Sequence, residues 1–113
     1  MVLWLKYVLF LLVTLLLVIV ATPALTESNI NEENCTYKDK QLYGKVEIVE
    51  SFPDLEIKVV DSFPDLKVKI VDSFADDCGE WDFVDSFPDI KVQFVESFPD
   101  IEIKFVDSFP GIP

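Results

Sequence analysis

From residue 44 onward the chain alternates apolar and charged residues in short bursts. Leu55-Glu56-Ile57-Lys58-Val59 is the clearest, and 66–70, 90–94 and 101–105 repeat it. Period-two alternation predicts strands with one buried face. The apolar positions are rich in β-branched and aromatic residues, which suit a pleated surface. Gly44 and Gly79 each precede a further burst, with Val46 and Ile48, then Trp81 and Phe83, expected on the inward face. Each burst ends in a doubled apolar step, such as Val59-Val60, where the alternation slips. Asp or Glu, Ser, Phe, Pro and Asp follow. Proline suits the first central position of a turn, and Ser and Asp side chains can bond a corner's backbone. The residue before proline is pushed to extended geometry. The pattern predicts short strands separated by corners, with Phe52, Phe63, Phe74, Phe87, Phe98 and Phe109 extended and turned inward. The alternative is that these six aromatics form an exposed stacking surface for sugar, but an apolar ladder at strict repeat spacing is more often core. Prolines at this spacing would break an 11-residue helical repeat at every turn.

The corners set the organisation. Their serines fall at 51, 62, 73, 86, 97 and 108, eleven residues apart except for one step of 13. That step divides the array into two halves. Residues 44–75 align without gaps on 79–110, and half of the aligned positions are identical. An 11-residue unit nested in a duplicated half predicts a pseudo-twofold object, with residues 76–78 at the crossover. Ala75 and Gly111 depart from the corner pattern, each at the end of a half.

The N-terminus belongs to another class. Residues 7–21 are apolar apart from Thr14, Lys6 is the only charge before them, and Thr22-Pro23-Ala24 leads into a polar stretch. These are the marks of a secretory signal peptide over residues 1–24, cleaved after Ala21 or Ala24. The competing reading is an uncleaved membrane anchor, since the apolar stretch is about long enough to span a bilayer. Residues 25–36 read as a polar leader, flexible to about Lys40, and residues 37–113 as the β-repeat domain. Export places the domain in the periplasm or outside the cell, or on the membrane surface if residues 1–24 remain.

Charge removes whole classes of partner. The chain carries 21 acidic residues against nine lysines, with no Arg and no His, for a net charge of −12. Phosphate contacts need clustered Lys and Arg, so nucleic acid is excluded, and so is docking on anionic lipid. In an exported chain, Cys35 and Cys78 are expected to form one structural disulfide. They lack Cys-x-x-Cys spacing, and no His stands by to complete a zinc site.

Catalytic chemistry has little to work with. Serine nucleophiles need a base, and none is evident. The carboxylates are distributed by the repeat, whereas a site normally breaks symmetry. The expectation is no enzyme, no cofactor and no metal. Asp76, Asp77 and Glu80, with Asp82 nearby, form the one irregular acidic cluster. It lacks the spacing of a calcium loop. With Trp81, the residues Asp76, Asp77 and Glu80 are the candidate interaction patch, and Tyr37 and Tyr43 are further candidates.

Tandem copies of Ile-Lys-Val-Val-Asp-Ser-Phe-Pro-Asp (57–65) and Val-Gln-Phe-Val-Glu-Ser-Phe-Pro-Asp (92–100) resemble the bacterial septoil knot domain family. The resemblance covers roughly residues 36–113. It implies a compact all-β domain, about six short strands in two pseudo-symmetric halves, wound as a seven-crossing torus knot. It implies no catalytic residues. True knots are almost absent from proteins, and without the resemblance the repeats would read as a short β-solenoid. Two functions fit: a non-catalytic module that binds a protein or glycan of the cell envelope, or a protease-resistant scaffold with no specific ligand.

Overall fold

A computed structural model describes residues 30–113. The proposed signal peptide or anchor lies outside the described residues. Six strands carry the repeats: β4 (Gly44–Ile48), β5 (Leu55–Val59), β6 (Leu66–Ile70), β7 (Glu80–Phe83), β8 (Ile90–Phe94) and β9 (Ile101–Phe105). They close into a barrel in the order β4-β7-β6-β9-β5-β8, with every neighbouring pair parallel. Strands of the first half alternate with strands of the second, so neither half contains a sheet of its own.

The register explains the 11-residue step. Ile48, the last residue of β4, and Leu55, the first of β5, both partner Val92. Val59 and Leu66 both partner Ile103. Ile70 and Gly44 both partner Trp81, which closes the circle. The second half follows the same rule, Phe83 and Ile90 through Val46 and Phe94 and Ile101 through Ile57. Each strand therefore starts level with the end of its predecessor, with one strand of the other half between them. Equal steps that close on themselves put all six strand starts at one end of the barrel and all six strand ends at the other.

The aspartates of the corners tie the halves together. The Asp54 N–H donates to the Lys91 carbonyl at 2.9 Å, and the Lys91 N–H donates back to the Asp54 carboxylate at 2.8 Å. Asp65 does the same with Glu102, Asp89 with Lys45 and Asp100 with Glu56. The sequence suggested local turn bonds for these side chains. They instead cap a backbone 37 to 44 residues away. Gly111 shows what its departure from Asp achieves. Its backbone exchanges both hydrogen bonds with Lys67, and its carbonyl replaces the missing carboxylate.

The strand starts are covered and the strand ends are not. β1 (Ile30–Asn31), β2 (Thr36–Tyr37) and β3 (Lys40–Gln41) form a small antiparallel sheet. Ile30, Cys35, Tyr37 and Leu42 bury themselves in one core with Leu55, Leu66, Ile90 and Ile101. The expectation of a flexible leader is thus overturned for residues 30–40, whose few apolar residues are spent on plugging the barrel. The Cys35–Cys78 disulfide fastens this plug to the crossover between halves. Two glycines fit the crowding. A Cβ on Gly79 would collide with the Lys67 carbonyl oxygen, and one on Gly44 would meet the Asp89 carboxylate at 2.6 Å.

Candidate interaction surface: the corners and the mouth of the barrel

The inward turn expected of the corner phenylalanines is wrong. Phe52, Phe63, Phe74, Phe87, Phe98 and Phe109 are 86–95% exposed. They are not extended either, for all six have φ between 52 and 56°. A left-handed conformation is uncommon for any residue with a Cβ, and for a bulky one it is an outlier. The geometry of the corner demands it. The chain must cross one strand and rejoin that strand's far side within a few residues, as Val49 and Asp54 do around β8. Gln93 of β8 donates from its side chain to the Glu50 carbonyl at 3.0 Å, which seats the corner across the outer face of that strand. The left-handed residue makes the reversal and throws its side chain to solvent.

Neither packing nor backbone preference accounts for phenylalanine there. Glycine would make the same turn without strain. Phe63→Gly should therefore leave the fold intact and raise stability by about 0.5–1 kcal/mol, the relief of left-handed strain less the entropy that glycine adds to the unfolded chain. Chemical denaturation checks this. A loss of stability would show that the ring packs.

The barrel leaves a second apolar surface open at the strand ends. Ile48, Val59, Ile70, Phe83, Phe94 and Phe105 share the alternation of the buried core positions, so they face the barrel axis. Yet Phe83 is only half-buried and the others are 37–57% exposed. Shallow recesses lie beside these residues. Lys69, Ile70, Phe105, Val106 and Asp107 line one, and the equivalent Glu47, Ile48, Phe83, Val84 and Asp85 line another.

The patch predicted at the crossover is taken apart. Trp81 is fully buried, and its indole N–H donates to the Leu42 carbonyl at 3.0 Å. It holds the plug and is not part of a surface, a correction forced by the N-terminal sheet that the sequence reading treated as mobile. Glu80 is half-buried and accepts the Asp77 N–H at 3.0 Å, while the Asp77 carbonyl accepts the Glu80 N–H, a closed local turn. Asp76 lines a different groove with Phe74, Asp82 and Asp89. No three metal-ligating side chains converge among the described residues. Tyr37 is buried and donates to Asp100 at 3.4 Å, and Tyr43 packs against the core half-buried. The six phenylalanines form the exposed aromatic surface that the sequence reading ranked second to core packing. The available signal was the invariant Ser-Phe pair at a position where the backbone must reverse.

No curated protein matches the chain. The family model of the 7(1) septoil knot domain matches residues 39–113. That range takes in all six barrel strands and every corner, the part in which each half is threaded through the other. The chain belongs to the septoil knot domain family.

Proposed function

We propose that the chain is an exported, non-catalytic interaction module of the cell envelope, and that the corner phenylalanines are its binding elements. One observation carries this reading. Six exposed phenylalanines sit in strained conformations that the fold could fill better with glycine. Strained backbone persists where the side chain has a use beyond packing. Aromatic residues, phenylalanine among them, are also enriched at protein interfaces relative to the rest of the surface. The Cys35–Cys78 disulfide fits an oxidising compartment such as the periplasm.

The interleaved halves and the disulfide favour a second reading, a scaffold whose use is resistance to unfolding. A cross-linking pull-down separates the two. The bait is the full chain exported in its own host, compared with the Phe52→Ser/Phe63→Ser/Phe74→Ser variant. A partner recovered with the native bait and lost with the variant supports the module. Nothing above background from a bait shown to be folded favours the scaffold.

A further inference from the structure

We infer that the open mouth of the barrel is a docking site for one basic, amphipathic segment of a partner protein. The inference rests on the interaction-module reading but uses a surface separate from the corner phenylalanines. The barrel has two apolar ends. The fold builds a plug for one, with Tyr37 of β2 and Leu42 just after β3 buried in the core, and leaves Ile48, Val59, Ile70, Phe94 and Phe105 exposed at the other. The chain enters the described fold at Ile30, on the plugged side. The mouth is thus the end remote from Ile30.

Charge selects the occupant. Two residues beyond each mouth residue stands an exposed acid: Glu50, Asp61, Asp72, Asp85, Glu96 or Asp107. The one ion pair among the described residues, Lys40 with Asp54, lies toward the plug and uses none of them. Cations do stand near the mouth. Lys58, Lys69 and Lys104 lie one residue before it on the strands, but Glu47 and Asp82 hold the equivalent places on β4 and β7. A second copy of the chain would set one acidic ring against another, and an anionic bilayer would meet the same repulsion. A metal ion finds no three donors close enough to share it among the described residues. What fits is an apolar strip that covers the mouth, flanked by lysines or arginines that reach the rim. A six-stranded barrel is narrow, so the mouth seats one such segment, whereas the corners offer six equivalent tips.

Titration calorimetry and amide NMR on the disulfide-bonded chain test this. The probe is a helical peptide with leucines on one face and lysines on the other, with a leucine–glutamate peptide as control. The lysine peptide should saturate at one per domain, shift the amides of the mouth residues and the acids beyond them, and weaken severalfold as salt rises. The control should not bind. Ile48→Ser/Val59→Ser/Ile70→Ser should weaken binding by at least about tenfold, the scale of losing roughly 50–60 Å² of buried apolar contact. Phe52→Ser/Phe63→Ser/Phe74→Ser should leave it within about twofold, the ordinary effect of a change outside the contact. Thermal melts verify that both variants fold. Binding with several peptides per domain, or indifferent to the mouth variant, overturns the inference. If that happens while the pull-down still yields a partner lost on changing the phenylalanines, only the mouth is refuted. Failure of both refutes the interaction reading itself.

Discussion

Trp81→Ala is expected to cost about 3–5 kcal/mol, the range for deleting a buried tryptophan side chain. That is a large share of the total stability of a small domain. Trp81 is where the barrel departs most from its own symmetry. Its counterpart in the first half is Val46, also fully buried. The larger ring fills space that no sixfold arrangement would supply, meets Phe83 edge-on at 6.1 Å and reaches the plug through its N–H. Truncation removes the volume, the aromatic contact and the bond to Leu42 together. Trp81→Phe separates these effects. It retains most of the volume and loses only the donor, and the Leu42 carbonyl still accepts the Gly79 N–H at 3.2 Å. Its expected cost is therefore about 1–2 kcal/mol, near that of one hydrogen bond with modest repacking. Denaturant titration of the two variants checks both values. Equal costs would mean that the indole N–H, and not the ring, holds the end of the barrel.

Much of this architecture is legible in the residues. Leu55, Ile57 and their equivalents alternate with charges because one face of each strand is buried, and that periodicity survives any topology. The offset of 35 between Gly44 and Gly79 reveals two halves. It does not reveal that β4 pairs only with β7 and β8, because pairing depends on which strand the corner crosses. The aspartates show the same limit. Asp54 and Asp100 look like turn residues, and their partners, Lys91 and Glu56, are distant backbone groups that only the register brings within reach.

The phenylalanines mislead for a different reason. An apolar residue at strict repeat spacing is usually core, and a residue before proline is usually extended. Both tendencies are local. The need to cross β8 between Ile48 and Leu55 overrides them at Phe52 and reverses the direction of the side chain. Trp81 misleads in the opposite sense. It breaks the repeat and so looks like a site, but it breaks it to meet the N-terminal sheet, whose burial rests on only a few apolar residues.

Removing the disulfide by Cys35→Ser/Cys78→Ser should cost about 4 kcal/mol, the loop-closure entropy of a bridge across 43 residues. The bridge joins the plug to the crossover, so the loss should appear first as local opening. Amides of β1–β3 and of Leu42 should gain exchange with solvent while β5, β8 and β9 stay protected, because the interleaved strands do not depend on the plug for their hydrogen bonds. The same end is held by Trp81, and the two anchors are not independent. Once the plug is detached, the indole N–H has already lost its acceptor and the ring has lost one wall of its pocket. Adding Trp81→Ala to the disulfide-free chain should then cost less than it does in the parent, by about 1–2 kcal/mol of coupling. A double-mutant cycle measures that difference. Strict additivity would show that the plug stays seated without its disulfide, held by Leu42 and Tyr37 alone.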